Sequence, residues 1–160
     1  MQGIKSDVVT FGSCTVDYYA RTEAGALKFM EVEGGPDLMC FDAGSKIQVH
    51  DLRESVGGGA VNSGVGYSRL GLKACFLGKM GGDVPAQRIK ETLYSEGVEV
   101  YKTFESGKPS GYSFILESLD KDRTIFSYKG ANNHLHPDEV GLGDFDSVDF
   151  FHFTSMLDDS

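Results

Sequence analysis

Three consecutive glycines, Gly57-Gly58-Gly59, stand directly ahead of a stretch with helical periodicity, and no other feature restricts the chain as much. Glycines let the backbone turn sharply and let a ligand or second segment come close, and the first helical N–H groups point at whatever sits there. Apolar residues at Val61, Val65 and Leu70, with small residues between them, form one buried face. Gly71 ends the helix, at the place where a helix C-terminus favours glycine. Asn62, in the first turn, offers a donor and an acceptor in one side chain, which suits a pair of vicinal hydroxyls. The same glycines also fit a tight turn with close helix–strand packing, so alone they leave both readings open.

The flanks of this helix alternate between strand and helix patterns. Val8 to Gly12 reads as a buried strand, and Thr15 to Arg21 continues as a more polar extended segment. Residues 23–55 are rich in turn formers, with short alternating stretches at Leu27 to Val32 and Lys46 to Val49, and read as strands of an excursion from the main sheet. Ala74 to Leu77 is the next buried strand. Gly78 to Asp83 is a glycine-rich turn, and Pro85 opens a helix carrying Ile89 and Leu93 that stops near Gly97. Val98 to Tyr101 is a strand, Gly111 to Leu119 and Thr124 to Lys129 a hairpin around Asp120 to Arg123, Pro137 to Val140 a short helix, and Val148 to Phe153 a last strand. This order predicts an α/β body with a parallel sheet and a second, smaller sheet. A parallel sheet needs cover on both faces, and no helix pattern follows Phe153, so the chain is expected to be a truncated one.

The formal net charge of −9 disfavours nucleic acid and anionic membrane surfaces, which both select clustered Lys and Arg. Cys14, Cys40 and Cys75 are isolated, so free thiols in a reducing compartment are expected rather than a disulfide scaffold. No apolar run approaches the ~20 residues of a membrane span, and the first residues lead straight into a strand pattern without a signal peptide. The cytoplasm is the expected location.

Two common nucleotide motifs fail. Counting from Gly57, the sixth position of a G-x-G-x-x-G is Asn62, and from Gly64 it is Arg69. A Walker A loop ending at Gly78-Lys79 would need glycine at Lys73 and Ser or Thr at Met80. What does match is a set of landmarks in order. The stretch G-G-G-A-V-N-S-G-V-G-Y-S-R-L-G (57–71) resembles the N-terminal signature of PfkB-family sugar kinases, the ribokinase-like carbohydrate kinases. F-G-S-C-T-V-D (11–17) is similar to the family's first strand with its substrate aspartate. G-K-M-G-G-D (78–83), E-G-V-E (96–99), S-G-Y-S-F (110–114) and R-T-I-F-S-Y-K-G-A-N (123–132) look like later landmarks.

The resemblance implies a three-layer α/β body with a small β-sheet lid, here the segments at about 15–55 and 111–129. It implies ATP-dependent phosphorylation of a hydroxyl on a small sugar, sugar acid or nucleoside. Asp17 and Asn62 would hydrogen-bond sugar hydroxyls, and Gly58 and Gly59 would bring backbone against the sugar. Independently of the family, a carboxylate just past a strand's carboxyl end lies where open α/β sheets bind ligands. Arg123, Tyr128 and Asn132 are further candidates for the substrate pocket, Arg123 as a bidentate donor to an acidic or phosphorylated sugar. The family's second signature, a glycine-rich turn ending in the catalytic Asp, has no match in residues 1–160, nor does the segment associated with Mg²⁺. The catalytic residue, ATP and Mg²⁺ are therefore expected on the remainder of a longer parent, and this chain alone is expected to be inactive. Asp83, Asp144, Asp146 and Asp149 have plain turn or strand-edge explanations. His134 and His136 are read as surface loop residues, with no metal site. The competing reading is a non-catalytic module that binds sugar or pairs through its lid. A homodimer joined by lid sheets belongs to either reading.

Overall fold

The computed structural model describes residues 5–23, 25–101, 107–117, 123–141, 143, 145 and 147–154, and the backbone of 104–105. They fold into two compact units, one made of residues 1–16, 56–112 and 128–160, the other of 17–55 and 113–127.

In the first unit, the run Ser-Asp-Val-Val-Thr-Phe-Gly is buried almost without a break, as expected for a strand covered on both faces. This strand, β1 (Lys5–Gly12), runs parallel to β12 (Ser147–Thr154) on one side and to β6 (Ala74–Leu77) on the other. The neighbour of β6 is β8 (Glu99–Val100), also parallel, giving the order β12-β1-β6-β8. Parallel strands need crossovers, and a helix lies on the connection into β6 and on the one from β6 to β8.

Helix α1 (Gly59–Arg69) turns Ala60, Val61 and Gly64 inward. Gly64 lies so close to the sheet that a Cβ there would sit 3.2 Å from Thr10 Oγ1 and 3.4 Å from a Val98 methyl. Helix α2 (Val84–Ser95) begins with Asp83 as its cap and Pro85 in its first turn, and it buries Ala86, Ile89 and Leu93. Ile89 and Leu93 are fully enclosed, each contributing about 1.5–3 kcal/mol of apolar burial. Arg69, in the last turn of α1, forms a two-point ion pair with Glu96 at 2.8 and 2.6 Å. On a separate cluster of the core, Val9, Phe11, Cys75 and Leu77 pack with Leu135 and Phe145. Leu135 lies between two 3-10 turns, Gly130–His134 and Pro137–Glu139, and Phe145 follows the second, so neither comes from an α-helix.

In the second unit the main sheet has the order β11 (Arg123–Tyr128), β10 (Gly111–Glu117), β2 (Thr15–Thr22), β5 (Val49–Gly57). A separate antiparallel pair, β3 (Lys28–Met30) and β4 (Leu38–Cys40), sets Lys28 opposite Cys40. The Glu117 carboxylate accepts from both Arg21 (3.3 Å) and Arg53 (3.2 Å), and Arg53 also lies over the Tyr19 ring.

The strand expected at 46–49 lies instead at Val49–Gly57 and runs straight into the glycine triplet. It is an edge strand with six of its nine residues exposed, so His50 to Ser55 carry no apolar alternation to betray it. The turn expected at 78–83 contains the short strand β7 (Lys79–Met80), parallel to β9 (Phe104–Glu105). The tip of the expected hairpin, residues 118–122, and Asp144 and Asp146 lie outside the described residues.

Candidate substrate-binding site

The connector between β1 and β2, Ser13-Cys14, lies at the centre of the first unit's polar contacts. Gly58 has φ +97°, and a Cβ there would run into the Ser13 carbonyl and lie 2.6 Å from Cys14 Cα. Its lack of a side chain is therefore spent on the approach of the connector. Ser13 in turn occupies the start of α1: its Oγ accepts from Gly59 N–H (3.1 Å) and its carbonyl from Ala60 N–H (3.2 Å). These two N–H groups, expected to face a ligand, are already satisfied by protein. Asn62, one turn later, is exposed, and its side-chain amide has no hydrogen-bond partner among the described residues. It borders a shallow groove along α1 that reaches Val65, Gly66, Thr92 and the Arg69–Glu96 pair.

Asp17 lies in β2, three residues beyond Cys14 in the chain. Its Oδ1 is shut away from solvent and accepts no hydrogen bond from any described residue. A buried polar atom left unpaired is rare in folded proteins and carries a desolvation penalty of about 1–3 kcal/mol.

The remaining candidates divide. Arg123 opens β11 and is exposed. Tyr128, 48% exposed, stacks on Tyr112 with ring centroids 5.9 Å apart. The Asn132 amide is fully engaged by backbone: Oδ1 accepts from Cys14 N–H (2.9 Å), while Nδ2 donates to the carbonyls of Cys14 (2.9 Å) and Lys129 (3.0 Å).

The fold also brings to this region several groups for which no site role is expected from the sequence. Cys14 is completely buried. Burial, with the negative charge of Asp83 adding, pushes its thiol up to about 12. Lys79 is also buried, donating to the His134 carbonyl and to Glu139 Oε1 (2.6 Å). Asp83 caps α2 by accepting from Ala86 N–H (3.2 Å) and holds Ser110 through its Oγ–H (2.6 Å) and N–H (2.8 Å), which agrees with a plain capping role. His152 bridges Tyr67 and Ser63. Ser63 Oγ–H donates to the Gly59 carbonyl (2.7 Å), so Nε2 of His152 donates to Ser63 (3.3 Å) and Nδ1 accepts from Tyr67 (2.9 Å). Only the glycine-rich loop and the Asp83-to-α2 spacing were visible hints of this network. Asp149 is an exposed strand residue, and the described residues contain no group of three His, Cys, Asp or Glu that could hold a metal ion.

The sequence model of the pfkB family carbohydrate kinases matches residues 5–160. The chain belongs to that family. It is 29% identical over 157 residues to probable fructokinase-4 of Arabidopsis thaliana, an alignment covering 96% of this chain and 42% of the relative. Among solved structures it is similar to the ribokinase of Cryptococcus neoformans var. grubii serotype A in complex with ADP (TM-score 0.66, 22% identity, 89% of this chain, 39% of the other). It is likewise similar to the adenosine kinase of Sinorhizobium meliloti (TM-score 0.65, 24% identity, 94% and 47%). These likenesses establish the ribokinase-like α/β fold that the ordered landmarks implied. The chain spans less than half the length of each of these relatives. No described helix is long and apolar enough to cross a membrane.

Proposed function

We propose that the full-length protein transfers the γ-phosphoryl group of ATP to a hydroxyl of a small sugar, sugar acid or nucleoside in the cytoplasm, and that this chain contributes the sugar-binding residues. The observation that carries the reading is the buried, unpartnered Oδ1 of Asp17. A carboxylate oxygen buried without a donor is unfavourable unless a ligand supplies one, and a sugar hydroxyl is a neutral donor of the right kind. The free amide of Asn62 adds a donor and an acceptor for a second hydroxyl. Gly58 acts by letting the connector and α1 meet closely, and the Gly59 N–H ties the two together through Ser13 Oγ. The relatives named for fructose, ribose and adenosine phosphorylation favour a substrate with vicinal hydroxyls, and the ADP bound by the similar ribokinase favours an adenine nucleotide.

None of the described residues is assigned to ATP, to Mg²⁺ or to the base that deprotonates the hydroxyl. Mg²⁺ would neutralise the transferring phosphates, and among the described residues no group of three His, Cys, Asp or Glu is placed to hold it. Segments 15–55 and 111–129 are assigned as the lid. Leu52, Phe114 and Phe126, at 68, 54 and 53% exposure, favour a second copy of the protein packing against that sheet.

The test is coupled detection of ADP released from ATP with D-fructose, D-ribose or adenosine as acceptor, run on the full-length protein and on residues 1–160. The full-length protein should turn over at least one of them and the 160-residue chain none. ADP release scaling with the concentration of highly purified 1–160 would overturn the division of labour, and inertness of both would favour the non-catalytic reading.

A further inference from the structure

Cys14 falls between the end of β1 and the start of β2, so its backbone has no strand ladder of its own. One side chain replaces the ladder. The Asn132 amide presents Oδ1 to the Cys14 N–H and Nδ2 to the Cys14 carbonyl, both at 2.9 Å, the donor–acceptor pair that a neighbouring peptide group would offer. The orientation of the amide is set by its partners, because turning it over would place Oδ1 against two carbonyls, those of Cys14 and Lys129.

The surroundings are cleared for this contact and brace it. A Cβ on Gly111 would collide with Nδ2 and lie 3.0 Å from the Cys14 carbonyl. The 3-10 turn that carries Asn132 is tied down at Ala131, whose N–H donates to the Pro109 carbonyl (2.8 Å). At its far end the buried Lys79 ammonium holds the His134 carbonyl and Glu139, and the carbonyl of the same Lys79 receives the Cys14 thiol (3.7 Å). Cys14, Asn132, His134 and Lys79 thus close a ring of contacts.

We propose that Asn132 is a positioning residue that sets the placement of Asp17, rather than a residue that touches the sugar. The proposal rests on the sugar-binding reading of Asp17. In an extended strand successive side chains face opposite ways, so a one-residue slip at the start of β2 would turn Asp17 to the other face. Fixing both backbone groups of Cys14, three residues earlier, fixes that phase.

The experiment uses Asn132→Asp and Asn132→Ala in the full-length protein, read by hydrogen exchange over residues 13–17 and by sugar saturation. The unmodified protein and Asp17→Asn serve as references. An ionised Asp keeps an acceptor for Cys14 N–H but loses both donors, while a protonated Asp regains one. The expected result for Asn132→Asp at neutral pH is about tenfold faster exchange at 13–17 with β6 and α2 unchanged. Half-saturation should rise about tenfold with little change in turnover. Both defects should shrink, relative to unmodified protein at the same pH, as pH falls through the carboxyl range. Asn132→Ala should show the same defects without acid rescue. Unchanged exchange at 13–17 would overturn the proposal, and so would loss of protection spread evenly over β1, β6 and α2 in both variants. If the connector loosens as expected while Asp17→Asn saturates normally, the sugar assignment of Asp17 fails and the clamp stands.

Discussion

At the residue scale, burial decides reactivity. Cys14 and Cys75 are both enclosed, and burial pushes each thiol up to about 12, with the Asp83 charge adding at Cys14. The thiolate is the nucleophile, so both should stay silent toward a thiol reagent at pH 8, while the less buried Cys40 reacts. Titration with a chromogenic disulfide should count one thiol in the native chain and three after denaturation. A count of two or three in the native state would contradict the packing around the connector. These partnerships also mark how much of the residue scale is written in the local sequence. Gly58 announces a close approach, but what approaches is a connector far earlier in the chain. Asn132 has the composition of a sugar ligand, and its commitment to Cys14 spans 118 positions, which no local pattern records. The elements that carry Asp17 and Asn62 were legible, because the extended segment of β2 and the start of α1 have local signatures; the sugar contacts of both residues remain the proposal.

At the element scale, two carboxylates tie segments together and should give the fold an acid limb. Burial pushes Asp83 up, but hydrogen bonds from Ser110 and the Ala86 N–H outweigh it and hold the carboxyl below its ordinary value. Burial likewise raises Glu139, and the hydrogen bonds from Lys79 and the His136 N–H, with the Lys79 charge, bring it net downward. A group depressed in the fold contributes stability that is complete above its unfolded value and is lost as pH falls through its folded value. Melting temperature should therefore hold near neutrality and fall below about pH 4. Asp83→Asn should cost about 1–2 kcal/mol at pH 7 and flatten that acid limb, and an unchanged acid limb in thermal melts of the variant would contradict the account. α1 and α2 stood out in the sequence by apolar periodicity and β1 and β6 by short unbroken buried runs, because burial on one face writes a period and burial on both faces writes a run. β5 did not, since an exposed edge strand needs no apolar alternation, and β4, β7 and β9 are too short to carry one.

At the scale of the whole molecule, the lid reading and the sugar reading make separate demands. If two copies pair through the second unit, full-length protein should run as a dimer in light scattering, and Leu52→Ser with Phe114→Ser should shift it toward monomer without disturbing the parallel sheet of the first unit. A monomer unaffected by either change would remove the pairing. The sugar reading stands on Asp17, and the most direct test is the saturation curve of full-length Asp17→Asn beside Asn62→Ala, using whichever of D-fructose, D-ribose and adenosine the unmodified protein phosphorylates. A hydrogen bond to a charged group contributes about 1.5–3 kcal/mol and a neutral one about 0.5–1.5. Half-saturation should therefore rise by tenfold or more for Asp17→Asn, and by a smaller factor, up to about tenfold, for Asn62→Ala. Both variants saturating at the same sugar concentration as the unmodified protein would contradict the account.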